Sequence, residues 1–394
     1  MIMKTHLTIL ISLNLVAMTH VCKSEISFTG LGDLDGGIFQ SRAYGVSGDG
    51  STVIGTSSSA GGNEAFIWTR TGGMIGLGDL SGGSFNSSAY GISSDGTAVV
   101  GYGVNDFGAE AFRWSEPTGM QGLGDVTGGE YGSTAKGISD NLQTVAGHGR
   151  SGNGIEAFRW TETEGMLTLG DLDGGGFESH AEGVSGDGLT LVGYGTAEHG
   201  HEAFRWTESE GMVSLGSLGG NGISRAYAVS DDGSVIVGMS ASDRGWQPFR
   251  WTESGGMEAL GYVAGGSFIS HAYGVSGDGA TVVGQCLTPD GYVPFVWNEE
   301  NGMQSLIAIL EENEIDMSGW TDLGAHGVSD DGKTIIGYGT HNGNAEAFVA
   351  VIPEPSSTVL IILGGTMLLR SKKLLSSRRN GKYRGYKRTT IKPL

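Results

Sequence analysis

Short apolar runs alternate with glycine-rich polar turns along almost the whole chain, at a fixed period. The second repeat shows the pattern. Ser88-Ala89-Tyr90-Gly91-Ile92-Ser93 reads as a strand. Ser94-Asp95-Gly96 reads as a turn, because Asp-Gly suits the positive backbone angles of a tight hairpin. Thr97-Ala98-Val99-Val100-Gly101-Tyr102 is apolar and β-branched, a second strand. A third strand, Glu110-Ala111-Phe112-Arg113-Trp114, follows a glycine-containing loop, and Pro117-Thr118-Gly119 turns into a fourth, Met120 to Gly124. Phe112 and Trp114 are two apart and share one face, while Ala111 and Arg113 share the other. If such sheets stack, the small residue of one unit receives the aromatic pair of its neighbour. Arg113, Arg159, Arg205 and Arg250 are expected to pair with carboxylates near the sheet edge.

The third strand recurs as Ala65-Phe66-Ile67-Trp68, Ala111-Phe112-Arg113-Trp114, Ala157-Phe158-Arg159-Trp160, Ala203-Phe204-Arg205-Trp206, Pro248-Phe249-Arg250-Trp251 and Pro294-Phe295-Val296-Trp297. Ala347-Phe348-Val349 ends the series without the Trp. The Trp spacings are 46, 46, 46, 45 and 46 residues, so one supersecondary module is stacked against copies of itself. Phe28-Thr29-Gly30-Leu31-Gly32 matches a fourth strand but precedes the first full unit, and the last unit stops after three strands near Val351. The leading strand can therefore complete the last unit and remove exposed edges. The expected fold is all-β, a seven-bladed β-propeller of four-stranded blades whose last blade is closed by the N-terminal strand. A linear β-solenoid is the alternative, but it would not require matching ends. An insertion at 305–316 predicts a short helix, with Ser305 as cap and Leu306, Ile309 and Leu310 facing inward.

Composition fits many tight turns, since 73 of 394 residues are Gly and only 7 are Pro. The net charge of -20 is unevenly spread. All 43 acidic residues lie between Glu25 and Leu369, and the last 25 residues carry ten Lys or Arg and no acid. An acidic body repels polyanions, so the repeats are not expected to bind nucleic acid. Of the two cysteines, Cys22 falls in a segment expected to be removed and Cys286 reads as a buried small hydrophobe.

Residues 1–24 read as a secretory signal peptide, with Lys4, an apolar run from Leu7 to Met18 and small residues before Glu25. At the other end, Pro353-Glu354-Pro355 precedes an apolar stretch, Thr358 to Leu369, and the basic run Arg370-Ser371-Lys372-Lys373. This order resembles the PEP-CTERM sorting signal of Gram-negative bacteria. The resemblance implies transient inner-membrane anchoring through a short transmembrane helix, recognition of Pro353, Glu354 and Pro355 by an exosortase-type processing enzyme, and removal of the helix and tail; the sorting segment spans 353–394. The apolar stretch is only 12 residues and the basic tail is long, so an ordinary C-terminal anchor is the competing reading. The body, 25–352, also resembles the HAF family of extracellular repeats, through Leu-Gly-Asp-Leu, Gly-Val-Ser-x-Asp-Gly and Ala-Phe-x-Trp. In the family's naming position this chain has Glu64, Glu110, Glu156, Glu202 and Glu346. That family implies location and repeat type, not an activity.

A site on a near-symmetric scaffold must break the symmetry, so off-pattern positions carry the information. The first strand of each unit is expected to line a central channel. After its Ala stand Tyr44, Tyr90, Lys136, Glu182, Tyr227, Tyr273 and His326. Before it stand Arg42, Ser88, Thr134, His180, Arg225, His271 and Gly324. Together they predict an aromatic, mixed-charge funnel that contacts a sugar or peptide; simple filling of the channel is the plain alternative. Asp33-x-Asp35 and Asp171-x-Asp173 look like halves of a calcium loop, but the distant bidentate Glu is missing and a turn is preferred. His199-Gly200-His201 lacks a second ligand cluster and reads as a solvated loop. No cofactor and no catalytic nucleophile motif is expected.

The sequence thus predicts an exported Gram-negative protein of the cell surface or extracellular matrix. It is expected to be a monomer and a non-catalytic binding or structural module, with an extracellular polysaccharide or a surface protein as partner. The alternative is an extracellular polysaccharide-degrading enzyme, a lyase or hydrolase, using Glu182, His180, His271 or His326 at the channel.

Overall fold

A computed structural model describes residues 26–267 and 269–352. The signal segment and Pro353, Glu354 and Pro355, with the rest of 353–394, lie outside the described residues. Among the described residues no helix is long and apolar enough to cross a membrane. The described residues are all-β with one short helix. Their strands form five four-stranded antiparallel sheets and one eight-stranded sheet. The eight-stranded sheet is two four-stranded units joined by a single parallel bridge, Ile155 to Glu178.

The second repeat folds as Ser88–Ile92, Ala98–Asn105, Gly108–Ser115 and Gly119–Gly122, so the outer strand starts one residue earlier than its sequence suggests. The hairpin between the first two strands departs from the expected turn. Only Gly96 adopts positive φ, at 71°. Asp95 instead uses Oδ1 to accept from Ser93 Oγ at 2.6 Å and from the Thr97 amide at 2.9 Å. A short carboxylate that ties its own loop is worth more there than a left-handed backbone.

The leading strand Ser27–Gly30 pairs antiparallel with Asn344–Val351 and becomes the outer strand of the last sheet. Leu31 N donates to Ala347 O at 2.9 Å, and Gly32 N to Glu346 Oε1 at 3.1 Å. Phe28 stacks on Phe348 with ring centroids 5.0 Å apart and meets Trp320 edge-on at 5.1 Å. The first and last described strands are thereby held together by ladder bonds and an aromatic cluster.

Units pack face to face as the strand pattern requires. Phe112 of the second unit sits with Ile54 and Ala65 of the first, and Phe158 with Ala111 of the second. The same arrangement joins last to first, where Ile336, Ala347 and Val349 pack with Phe66 and Trp68. Each of these Phe rings is fully buried, and burial of a ring stabilises by roughly 2–3 kcal/mol. A buried serine threads between neighbours. Ser133 Oγ accepts from Ala111 N at 3.0 Å and donates to Gly124 O at 2.8 Å. Ser41 makes the same bridge to Ala347 N at 3.0 Å, across 306 residues of sequence. Where the third strand has Pro248 in place of Ala, the amide is missing, and Ser270 Oγ is left buried without a partner. The glutamates of the repeat motif are structural too: Glu64, Glu110 and Glu156 accept from Gly78 N, Gly124 N and Gly170 N and so hold the turn after each outer strand.

The insertion forms the helix Leu306–Glu312, with Ser305 as N-cap accepting from Ala308 N. Leu306 and Leu310 are buried as expected. Ile307, not Ile309, is the third residue packed on the cluster around Phe348, because the helix lies with its 306/310 edge against the sheet and Ile307 borders it. Of the four arginines, Arg159 pairs with Glu164 at 2.5 Å and Arg205 pairs with Glu210. Among the described residues no ion pair forms at Arg113 or Arg250, whose repeats have Thr118 and Gly255 where the others place Glu164 and Glu210. Cys286 is a free, buried thiol.

Candidate functional site

Each inner strand carries a β-bulge at the same place. In the first unit Ala43 pairs with Gly55 and Gly45 with Ile54, so Tyr44 is the extra residue. The same shift falls at Tyr90, Lys136, Glu182, Tyr227, Tyr273 and His326. A bulge releases a residue from the ladder and re-aims its side chain. The released residues are the off-pattern positions expected to line a channel. Beside them the backbones approach closely: a Cβ on Gly91 would lie 2.7 Å from Lys136 O and 3.0 Å from Gly137 Cα. Only glycine permits that contact.

The result is a cavity of about 250 Å³ lined by Tyr44, Tyr90, Glu182, Tyr227, Tyr273 and His326. A collar of aliphatic residues that includes Val46, Ile92 and Val184 lines the same cavity. Lys136 does not line the cavity. Its Nζ turns aside to Glu182 Oε2 at 3.6 Å and lies 4.2 Å from the centroid of Tyr90. His180 and His271 also stand back from it. His271 Nδ1 is bonded to the Tyr273 hydroxyl at 3.0 Å, and His180 Nε2 to Glu178 Oε1 at 3.2 Å.

Many of these rings touch one another. His326 is sandwiched between Tyr273, 4.7 Å away, and Tyr338, 4.5 Å away, both nearly parallel to it. Tyr44 meets Tyr90 at 5.4 Å and Tyr338 at 6.1 Å. A second row runs His148, His180, Tyr194, His201, with centroid spacings of 4.3, 4.7 and 5.1 Å. Arg225 caps it, 4.6 Å over Tyr194 and bonded to His201 Nδ1 at 2.9 Å. The second-strand members, Tyr338, Tyr194 and His148, were not anticipated. The signal was present: the residue inside Gly-x-Gly reads Tyr102, His148, Tyr194 and Tyr338 but departs to Thr56, Met239 and Gln285.

Burial sets the ionisation of the wall. It pushes Tyr90 and Tyr227 up to about 12 and holds Tyr194 and Tyr273 higher still, so the phenols stay neutral donors. It pushes His148 down to about 3 and His326 to about 4, and lowers His180 and His271. These imidazoles are neutral at pH 7.

The hairpins beyond the collar carry another off-pattern set. Asp140 N donates to Gly186 O, Asp231 N to Gly277 O, Asp330 N to Gly48 O, and Gly48 N to Ser94 O. The loops are thus linked to one another, and Asp140, Asp231 and Asp330 are brought within reach of one another's charge. Burial first, then Asp330 and Asp140, push Asp231 up to about 6. In the second Asp-x-Asp segment, by contrast, the first carboxylate is bound up in backbone. Asp171 accepts from Leu172 N, Glu178 N and Thr196 N.

No family model matches the chain, and no curated protein matches it. Solved structures do. An oligogalacturonate lyase from Vibrio parahaemolyticus aligns with TM-score 0.58 at 12% identity, covering 84% of this chain and 95% of that one. An oligogalacturonate lyase in complex with manganese aligns with TM-score 0.51 at 12% identity, covering 84% and 97%. A prolyl endopeptidase aligns with TM-score 0.53 at 12% identity, covering 80% of this chain and 50% of that one. At such identities the likeness concerns the fold, and the chain has a β-propeller fold.

Proposed function

We propose that this chain is an exported, surface- or matrix-associated seven-bladed propeller, closed by its N-terminal strand, that acts as a non-catalytic binding module through one mouth of its channel. The observation that carries the reading is the bulge repeated in every unit. It spends a break in the ladder at each inner strand and delivers Tyr44, Tyr90, Tyr227, Tyr273 and His326 to one cavity. Neutral aromatic faces with Tyr hydroxyls suit the apolar face and hydroxyl edge of a sugar ring. A cavity of about 250 Å³ takes one sugar unit or a chain end rather than a threaded polymer. The partner we infer is therefore a terminal residue of an extracellular polysaccharide. Export is inferred from the signal-like segment 1–24, and surface or matrix association from the resemblance of 353–394 to a sorting signal read by an exosortase-type enzyme. The test is a glycan array and a matrix pull-down with the wild type and a Tyr44→Ala/Tyr90→Ala/Tyr273→Ala variant. Binding lost in the triple variant is expected; binding of every partner unchanged rejects the channel as the site.

A second reading has its own support. Glu182 faces the cavity, with neutral His180 on the same strand, the residue types of an acid–base pair acting on a glycan. The aligned lyases lend it only a shared fold. Depolymerisation of a polysaccharide panel that disappears in Glu182→Gln would replace the binding module with an enzyme.

A further inference from the structure

The wall of the channel between the third and fourth repeats holds a grouping that packing alone leaves unexplained. His148 comes from the strand Val145–Ser151, and His180 and Glu182 from the inner strand Gly174–Val184 of the next repeat. One ring nitrogen from each histidine and one Glu182 oxygen lie within 4.8 Å of one another. His148 Nδ1 is buried with no hydrogen-bond partner. A buried imidazole nitrogen without a partner costs free energy unless something binds it. His180 is oriented by Glu178 Oε1 on its Nε2 at 3.2 Å, the imidazole–carboxylate arrangement that fixes a metal-binding histidine.

We propose that His148, His180 and Glu182 bind a first-row divalent transition metal, with zinc as the representative ion. Two imidazoles and one carboxylate suit zinc and its neighbours, whereas calcium prefers oxygen alone. In a tetrahedral site with bonds of about 2.1 Å the ligand atoms stand about 3.4 Å apart. The three side chains must therefore draw in by up to roughly an ångström, within the reach of rotamer adjustment. Lys136, 3.6 Å from Glu182 Oε2, occupies the place of the counter-ion when the metal is absent and swings away when it binds. Glu182 borders the cavity, so the coordination positions left open face it and can take an oxygen from a sugar hydroxyl or carboxylate. Metal binding itself needs no glycan, and the site stands or falls separately from the binding role proposed above.

The experiment is calorimetric titration of zinc chloride into the full chain, carrying no histidine tag and stripped with chelator. A single saturable equivalent is expected, weakened at least about tenfold in Glu182→Gln and in His148→Ala. His271→Ala should leave it unchanged, and Lys136→Met should tighten it. Circular dichroism of each variant separates lost coordination from lost fold, and Glu182→Gln, nearly isosteric, carries the decision if His148→Ala unfolds. No saturable binding, or binding indifferent to Glu182→Gln and abolished by His199→Ala, overturns the assignment; the second result would place the ion on the His199-Gly200-His201 loop.

Discussion

Replacing Asp231 with Asn should stabilise the protein at pH 8 and do so only above the acid range. Asp231 is half-buried and shares its surroundings with Asp330 and Asp140, so its carboxyl is pushed from 3.8 up to about 6. A rise of that size corresponds to about 3 kcal/mol if nothing screens it. The side chain is roughly half exposed and solvent screens the repulsion, so about 1 kcal/mol is the expected effect. The sign follows from linkage. The folded protein holds this proton more tightly than the unfolded chain does. The stability it contributes is fully present below about pH 4 and is lost as pH rises through about 6. Asn keeps the shape, cannot ionise and is blind to that window. Urea unfolding of wild type and Asp231→Asn at pH 8, 6 and 4 reads the difference directly. The variant should exceed the wild type by about 1 kcal/mol at pH 8, and the gap should close by pH 4. A variant less stable at pH 8, or a gap that does not change with pH, would show that burial and the neighbouring carboxylates do not raise this carboxyl.

Other consequences concern the joints between units. Ser133→Ala and Ser179→Ala each strand an Ala amide of the preceding unit and should cost about 1–2 kcal/mol by urea unfolding. Ser270→Ala removes a hydroxyl that already has no partner and should stay within about 0.5 kcal/mol of wild type, which tests the role assigned to Pro248. Phe28→Ala should destabilise by about 2 kcal/mol, less than a full core ring because Phe28 is only partly buried. Limited proteolysis should then cut first near residues 26–35; resistance equal to wild type would mean the leading strand does not hold the ends together. Glu164→Ala and Glu210→Ala remove exposed partners of Arg159 and Arg205 and should change stability by less than about 0.5 kcal/mol.

The period of the aromatic strand, the alternation within it and the matching ends were enough to specify the all-β repeat, which face of Phe112 and Ala111 meets which neighbour, and the pairing of 27–30 with the last sheet. These are local properties: a two-residue alternation and a turn every few residues leave little else for the backbone to do. The off-pattern inner-strand positions were also legible as one set. Their destination was not, because a bulge is fixed by pairing across strands and has no composition of its own. Tertiary structure alone decided that Lys136 turns onto Tyr90 and Glu182, that His271 is tied to Tyr273, and that His148 comes from the neighbouring repeat to stand beside His180. It also gathered Asp140, Asp231 and Asp330, 190 residues apart from first to last, at one set of hairpins. Sequence distance says nothing about which residues share a dielectric environment, and shared environment is what sets their charge and their chemistry.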